Sequence, residues 1–281
     1  MVMNAVIQVR DAAFSYGGPL VFEHIDLDIY PGRICCLMGV NGCGKSTLID
    51  CMLGVHPCSS GQVLIGGKSI AELKPAEIAK QISYVPQVHD RSFPYLVRDI
   101  VLMGRTAYQK GFSAPGQEDM EKCEDAMRRC GIAQLADRPY TQISGGEMQM
   151  VMLTRALVQD TPVIIMDEPT AHLDFRNEQI FLETVANLVN NQSIGAVIAT
   201  HSPNQAFYFE NAGADIDVAL MAGASLRALG KPSEVLNEEV LQEVYGMKVR
   251  ITDVDLGSDG RIRQLIPIRM LREDENRNHD E

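Results

Sequence analysis

The chain has 281 residues, of which 46% are hydrophobic and 22% are charged, and its formal net charge at pH 7 is −12. This composition is ordinary for a globular protein and supports one large domain or two small ones. The acidic balance argues against a nucleic-acid-binding surface, because phosphate backbones attract basic patches.

The sequence carries no targeting or membrane signal that we can identify. Its apolar runs are shorter than the roughly 20 residues that span a bilayer, and residues 1–10 lack the charged lead and apolar core of a signal peptide. Of the seven cysteines, Cys35 and Cys36 are adjacent, Cys43 lies eight residues before Cys51, and Cys51, Cys58, Cys123 and Cys130 are scattered with no C-x-x-C pair. We therefore expect a cytoplasmic protein with reduced, mostly buried thiols rather than a disulfide framework or a zinc site.

Two segments near the N-terminus, 5–9 and 25–29, alternate apolar and polar residues, which predicts half-buried strands. The turn between them is rich in glycine and begins with aromatic residues. Tyr16 in this turn could stack on a base or could simply pack at the end of a strand. On the residues alone, the packing role is favoured.

Residues 39–47 match the phosphate-binding pattern G-x-x-x-x-G-K-[ST]. A buried strand is predicted before this loop, at 33–38, and a helix after it, at 46–53. Inward-pointing backbone N–H groups and the helix dipole would make an anion site there. The predicted nucleotide contacts are Asn41, Gly42, Cys43, Gly44, Lys45, Ser46 and Thr47, with Lys45 on phosphate oxygens and the Ser46 hydroxyl on Mg²⁺.

The next part of the chain changes from strands to helices. Short strands are predicted at 62–65 and 82–86, and Gln87 follows the second one directly. A polar residue in that position can face a nucleotide, although an ordinary loop residue is the simpler interpretation. A short helix is predicted at 75–81. From 88 to 159 we predict helices and no strand, with helices at 96–103 and 118–130 and a loop between them at 106–116.

Ser144 opens a predicted helix that runs to about residue 158, and Glu147 follows three residues later as in a capping box. That structural role is the favoured one when the motif is taken alone. Ser144, Gly145 and Gly146 could also form a second anion site at the helix N-terminus.

An apolar segment, 163–166, ends in Asp167 and Glu168. Ligands bind at the carboxyl ends of strands in open α/β sheets, so both side chains are candidates for the site. Asp167 can hold Mg²⁺, and Glu168 can polarise an attacking water as a general base. A charged turn is the alternative, and the phosphate-binding loop makes it the weaker one.

His201 follows a predicted strand at 195–199 and could contact a γ-phosphate, although a lone histidine there is more often a loop residue. The other predicted elements are helices at 175–189 and 232–245, strands at 218–221, 226–229, 248–254 and 262–268, and a polar, disordered tail at 272–281.

Taken together in this order, the motifs resemble the ATPase subunit of an ABC transporter, from about residue 6 to residue 245. The resemblance implies an α/β fold with a P-loop NTPase (RecA-like) core, an antiparallel β subdomain and an inserted α-helical subdomain. It also implies a role for each motif, namely an adenine-stacking Tyr16, a Q-loop Gln87, a signature at Ser144, Gly145, Gly146 and Glu147, a Mg²⁺-binding Asp167, a catalytic Glu168, a D-loop at 171–174 and a switch His201.

Finer details resemble the importer branch for iron–siderophore, haem, cobalamin and related metal chelates. These cues lie at 41–44, 101–105 and 170–174. The departures from the family pattern are Val40, Met148, Met150 and Ser202, none of which removes a phosphate, Mg²⁺ or base group. The implied division is an ATPase domain at 4–250, with a nucleotide-binding core at 4–87 and 160–230 and a helical subdomain at 88–159, and a C-terminal extension at 251–281.

The resemblance also implies the partners. Two copies would form a head-to-tail homodimer that binds ATP and Mg²⁺. The dimer would dock on integral-membrane permease subunits at the inner face of the cell membrane, and a substrate-binding protein would be an indirect partner. Gln87 would contact Mg²⁺ and attacking water. The alternative is a soluble ABC ATPase of a non-transport assembly, such as iron–sulfur cluster assembly. Cargo and direction of transport stay open.

Overall fold

The computed structural model describes residues 4–87, 93–109 and 115–271. The first half of the chain forms β1 (Ile7–Ser15), β2 (Leu20–Ile29), β3 (Ile34–Gly39), α1 (Lys45–Met52), β4 (Ser60–Ile65), β5 (Lys68–Ser69), α2 (Pro75–Ile78), β6 (Ile82–Val85), α3 (Val97–Leu102) and α4 (Gln117–Arg129). The second half forms α5 (Gly145–Val158), β7 (Val163–Asp167), α6 (Phe175–Gln192), β8 (Gly195–Thr200), α7 (Pro203–Asn211), β9 (Ile216–Ala222), β10 (Ser225–Gly230), α8 (Pro232–Val235), α9 (Glu238–Tyr245), β11 (Met247–Asp255) and β12 (Arg261–Met270). The predicted tail, part of the predicted 106–116 loop and the start of the predicted helical region lie outside the described residues.

The central sheet has six strands in the order β10-β9-β3-β8-β7-β6. Five of them are parallel, and β10 pairs antiparallel with β9 at one edge. The strands β3, β7 and β8 are buried along their whole length, which explains why their sequences are almost continuously apolar. Because the strands are parallel, the segments after β3, β6, β7 and β8 all emerge at the same edge of the sheet.

Alternate residues of β3 belong to two separate cores. Cys35 and Leu37 pack with α1 and with a second, antiparallel sheet of order β2-β1-β4-β5. Cys36 and Met38 pack on the opposite face, with residues of α5, α6 and α7. The central sheet is therefore covered by β structure and α1 on one side and by helices on the other.

The helices between β6 and β7 are tied together by a buried cation. The Arg105 guanidinium, in a 3₁₀ helix (Met103–Tyr108), donates to Asp119 of α4 at 2.8 Å and to the Val158 carbonyl of α5 at 3.0 Å. Gly104 lets this segment approach α5, since an added Cβ would lie 2.2 Å from the Arg155 carbonyl oxygen. The predicted helix 96–103 therefore ends earlier, and the 3₁₀ helix replaces the start of the predicted loop.

The C-terminal part differs from the prediction in two places, since it contains one unpredicted helix and it has two helices where one was predicted. Helix α7 follows β8 directly, and the predicted helix 232–245 is divided into α8 and α9, with the Asn237 side chain capping α9. Strands β11 and β12 form a hairpin that packs on α7 and α9. Two asparagines of α7 hold the edge of β12. Asn204 makes two hydrogen bonds, of 3.1 and 2.7 Å, with the backbone of Leu265. Asn211 makes two hydrogen bonds, both of 3.0 Å, with the backbone of Arg263.

These contacts predict that Asn204→Ala destabilises the hairpin by about 1–3 kcal/mol, because a partly buried backbone donor and acceptor lose their partner. Urea unfolding and hydrogen exchange of the Leu265 amide measure the effect. Asn204→Asp is the matched control. It keeps the oxygen that accepts from the Leu265 amide, so its free energy of unfolding should lie between those of the wild type and Asn204→Ala. Equal stability of all three proteins would contradict the prediction.

Candidate nucleotide-binding site

The loop between β3 and α1 has a backbone that requires glycine. Gly39, Gly42 and Gly44 have φ angles of 148°, 80° and 99°. A Cβ on Gly39 would lie 2.4 Å from the Met221 carbonyl oxygen, so any side chain there would displace the loop from β9. The loop therefore wraps closely around the end of the sheet, with Asn41, Gly42 and Ser46 exposed at its outer side.

Lys45 places a buried charge at this edge, with only 6% of its surface exposed. Its ammonium donates to the carbonyl oxygens of Gly39 at 3.0 Å and Val40 at 3.3 Å, and it lies 4.0 Å from Glu168 Oε1. A desolvated cation needs oxygen partners. The site therefore presents a positive charge, steadied by its own loop, to any anion that enters.

Asp167 ends β7 and is 6% exposed. Burial raises the pKa of its carboxyl group, and hydrogen bonding with Ser46 and the nearby Lys45 charge oppose the shift. Its Oδ1 atom has no hydrogen-bond partner among the described residues. A buried carboxylate oxygen without a donor suits a hard cation, so Asp167 and Ser46 fit a Mg²⁺ ion.

Protein ligands alone would not complete such a site. Within the described residues, no group of three or more His, Cys, Asp or Glu side chains could hold a metal ion. Mg²⁺ usually keeps waters and binds through one or two protein groups plus phosphate oxygens. The donor set therefore fits an ion that arrives with a nucleotide.

Glu168 has a left-handed backbone, with φ of 42°, held by a hydrogen bond of 3.1 Å from its N–H to the Ala199 carbonyl of β8. Such a conformation costs about 1–2 kcal/mol for a residue with a side chain. Its Oε2 atom accepts a hydrogen bond of 3.1 Å from Gln87 Nε2 and lies 3.9 Å from His201 Nδ1. The structure thus gathers Lys45, Gln87 and His201 around one carboxylate.

Tyr16 lies beside the phosphate-binding loop, with its hydroxyl 3.4 Å from Thr47 Oγ1. Its ring meets Phe14 and His56 edge-on, with centroids 4.8 and 5.7 Å apart, and the residue remains 67% exposed. Tyr16 therefore both packs at the end of the strand and lies beside the loop, and most of its surface is exposed.

Ser144, Gly145 and Gly146 lie at the N-terminus of α5. Ser144 accepts from the Glu147 N–H at 3.2 Å, and the Glu147 carboxylate accepts from the Ser144 N–H at 2.8 Å, which forms the predicted capping box. A Cβ on Gly146 would lie 2.4 Å from the Asn177 side chain, whereas one on Gly145 would meet nothing within 4 Å. Among the described hydrogen bonds and ion pairs, none joins these three residues to the loop at 39–47.

Gln205 was not foreseen from the sequence. It is 6% exposed, its Oε1 accepts from Thr200 Oγ1 at 2.7 Å, and its Nε2 donates to Thr170 Oγ1 and Glu178 Oε1, both at 2.7 Å. This amide joins the strand before His201 to the segment after Glu168. Pro203, a residue favoured at the first helical position, was the signal that could have revealed α7 and, with it, Gln205.

Comparisons with known proteins agree with this geometry. The family model described as ABC transporter matches residues 22–171. An uncharacterized ABC transporter ATP-binding protein of Haemophilus influenzae is 41% identical over 203 residues, covering 72% of this chain and 77% of that protein. The hemin import ATP-binding protein HmuV of Streptomyces coelicolor is 33% identical over 235 residues, covering 84% of this chain and 81% of that protein.

A solved structure has the same fold over nearly the whole chain. It is an ABC transporter in an inward-facing conformation, described as being of the metal-chelate type, with a TM-score of 0.82 and 29% identity. The superposition covers 95% of this chain and 98% of that one.

The chain belongs to the ABC transporter family, as an ATP-binding subunit. The predicted fold, a P-loop core with an antiparallel β subdomain and inserted helices, is confirmed, and so is the prediction of an ATPase. The relatives do not favour the soluble, non-transport alternative. Within the described part of the chain, no helix has both the length and the apolar character needed to cross a membrane.

The buried charge of Asp167 predicts a pH-dependent gain in stability on Asp167→Asn, measured without nucleotide and with EDTA. A carboxyl group whose pKa is raised by folding destabilises the protein above that pKa. Removing the charge should raise the Tm at pH 8 by about 2–4 °C, equivalent to roughly 1 kcal/mol. The gain should shrink as the pH falls toward the ordinary aspartate value.

Asp137→Asn is the control for this prediction, because Asp137 is an exposed carboxylate in a surface ion pair with Arg98. Surface pairs contribute little, so this change should leave the Tm nearly constant at both pH values. A lower Tm for Asp167→Asn at pH 8 would contradict the prediction.

Proposed function

We propose that the chain is the ATP-hydrolysing motor of an importer for metal chelates, working at the inner face of a membrane with separate permease subunits. The observation that carries the motor role is the convergence of Lys45, Gln87 and His201 around the Glu168 carboxylate. The import of a metal chelate is supported by the similar hemin import protein and the metal-chelate type structure.

The loop and its neighbours would bind the triphosphate. Lys45 and the backbone N–H groups of 41–47 would neutralise phosphate oxygens, and the exposed ring of Tyr16 would stack on the base. Ser46 and Asp167 would hold Mg²⁺, which when bound neutralises charge on the phosphates. Asp167 is ready for this role because its Oδ1 atom has no partner within the described protein.

Glu168 would act on the attacking water. Its carboxylate lies at the end of β7, next to the lysine that would hold the γ-phosphate. The hydrogen bond from Gln87 orients the carboxylate, and His201 lies on the same side, where it could contact the γ-phosphate. A positioned carboxylate of this kind typically contributes about 10²–10⁴-fold to a rate as a general base.

The motif at Ser144, Gly145 and Gly146 would bind the nucleotide of a second copy. Helix α5 has 14 residues and offers backbone N–H groups at its N-terminus. Among the described residues, none lies within 4 Å of a Cβ added at Gly145, which leaves space there for a phosphate of the second copy. We therefore infer a homodimer with two composite sites, which ATP binding closes and hydrolysis opens.

The proposed division of labour follows the chain. The core at 4–87 and 160–230 binds ATP, the helical subdomain at 88–159 docks on the permease, and the extension begins at 251 within β11. Gln87 lies where the core passes into the helical subdomain, so a change at Glu168 could reach the docking surface through one hydrogen bond. A loaded substrate-binding protein would act on the far side of the permease.

Glu168→Gln should retain ATP binding and lower hydrolysis by at least about 10²-fold, since an amide cannot accept the proton from water. Single-turnover hydrolysis and nucleotide affinity separate the two effects. Normal turnover of the variant would show that Glu168 is not the base.

The same variant tests the composite site. With ATP and Mg²⁺, Glu168→Gln should form a stable dimer by light scattering, and adding Ser144→Arg should return it to monomer because the new side chain fills the phosphate position. The control is Ser193→Arg, at the C-terminal end of α6. The dimer would be refuted if wild-type protein hydrolyses ATP at its full rate while it stays monomeric at saturating ATP and Mg²⁺.

The cargo is tested with the reconstituted complex of this chain, its permease and its binding protein. Adding the binding protein loaded with haem or an iron–siderophore should raise ATPase activity several-fold over the unloaded protein. If only a free metal oxyanion stimulates the ATPase activity, the cargo is an oxyanion and the chelate assignment is wrong. Purification of the chain without any permease would favour a soluble assembly.

A further inference from the structure

One buried amide joins three elements of the fold. It belongs to Gln205, in the first turn of α7, and this residue is 6% exposed. Its Oε1 accepts from the Thr200 hydroxyl at the end of β8, and its Nε2 donates to the Thr170 hydroxyl after β7 and to Glu178 Oε1 in α6. All three hydrogen bonds are 2.7 Å long, so the amide uses its oxygen and both of its N–H groups.

The orientation of this amide is determined by its partners. The Glu178 carboxylate can only accept, so the nitrogen end of the Gln205 amide has to face it. A reversed amide would place two oxygen atoms against each other in a site from which water is excluded, which is costly. The amide therefore has one favourable orientation, and its three bonds form together.

The contact with Thr200 bears on the backbone around His201. Thr200 is 3% exposed, and its Oγ1 accepts from the Ser202 N–H at 3.1 Å while its proton goes to Gln205. The two residues that flank His201 are therefore bonded to each other across it. His201 Nδ1 lies 3.9 Å from Glu168 Oε2. Gln205 thereby restrains the segment that carries the histidine.

The contact with Thr170 bears on the turn after Glu168. The Ala171 N–H donates to the Glu168 carbonyl at 3.2 Å, and the Leu173 N–H donates to the Thr170 carbonyl at 3.1 Å. The Thr170 side chain extends from this turn to Gln205. Because the backbone of Glu168 is left-handed, with φ of 42°, its position depends on such restraints from its neighbours.

Helix α7 gives the amide a rigid support. Ala206, Phe207 and Phe209 are buried in the core, and the Gln205 N–H donates to the Ser202 carbonyl at 3.1 Å. The preceding residue, Asn204, bonds the backbone of β12. A side chain can position other groups only if its own backbone is held, and α7 meets this condition.

We propose that Gln205 is a positioning residue for ATP hydrolysis. It holds the segment after β7 and the end of β8 in register, so that the Glu168 carboxylate and the His201 imidazole act together at the γ-phosphate. The inference rests on the proposed roles of Glu168 and His201. The phosphate-binding loop at 39–47 is held separately, by its close approach to β9, so loss of the amide should slow turnover more than it weakens ATP binding.

Gln205→Leu tests this role, since leucine keeps the apolar stem and makes no hydrogen bond. We expect kcat of the full chain to fall by roughly tenfold to a hundredfold, the scale of a misplaced catalytic group, while KM for ATP changes by less than about twofold. Steady-state ATPase measurements give both constants. An unchanged kcat, or a rise in KM that accounts for the whole loss in kcat/KM, would overturn the proposal.

An exchange of partners separates positioning from a general loss of stability. Gln205→Glu sets a carboxylate against Glu178 and should lower kcat as Gln205→Leu does. Adding Glu178→Gln supplies an amide that donates to the new carboxylate, and the Thr170 hydroxyl can turn to donate as well. The double variant should recover kcat to within about threefold of wild type. A double variant that binds ATP normally but stays as slow as Gln205→Glu would refute the positioning role.

Gln159→Leu is the matched control. The Gln159 Nε2 donates to the carbonyls of Ala79 at 2.6 Å and Ile82 at 3.1 Å, and Ile82 begins β6 at the edge of the sheet opposite to Glu168. This variant also loses hydrogen bonds of a partly buried amide, yet it should keep kcat within about twofold of wild type.

An equal fall in kcat for Gln159→Leu and Gln205→Leu would show that turnover follows stability, and the positioning role would be wrong. Failure of the proposed function is distinguishable, because it appears as normal turnover of Glu168→Gln in a protein whose Gln205 is intact.

Discussion

The buried ammonium of Lys45 is the feature on which the rest of the site depends. A charge that is 6% exposed persists only where oxygen atoms replace water, and here the carbonyls of Gly39 and Val40 do so. That geometry requires a loop pressed against β9, which in turn requires glycine at 39. Glu168, 4.0 Å away, completes the local balance of charge. A triphosphate would enter surroundings already arranged for negative charge, with little reorganisation.

The strained backbone of Glu168 shows how the neighbouring strands arrange the carboxylate. Its left-handed conformation is held by a hydrogen bond to β8 and by the Gln87 amide. Strain of this kind persists only where the surroundings over-determine it. Gln205 adds to that restraint, since one buried amide bonds both the end of β8 and Thr170. Because α7 also holds the C-terminal hairpin through Asn204, the extension is structurally connected to the segment that carries His201.

The two anion-binding motifs of the chain differ in how far their own chain completes them. The loop at 39–47 is surrounded by its charged neighbours, whereas the N-terminus of α5 has its serine and glutamate satisfied by each other and leaves Gly145 open. Gly146 has a sufficient reason within the chain, namely contact with Asn177. The same six-stranded sheet supports both, since α1 packs on one face and α5 on the other. The proposed homodimer would fill this open position.

The sequence by itself determined what short-range patterns can specify. Continuous apolar runs predicted β3, β7 and β8, the glycine spacing predicted the loop before α1, and the Ser144–Glu147 spacing predicted a helix cap, because these signals lie within a few residues. The order of the motifs specified the family. Only the tertiary structure decided which side chains meet, as with Gln87 and Glu168 or Gln205 and Thr170. Those contacts depend on strand order and helix packing, which bring together residues far apart in the chain and which periodicity does not encode.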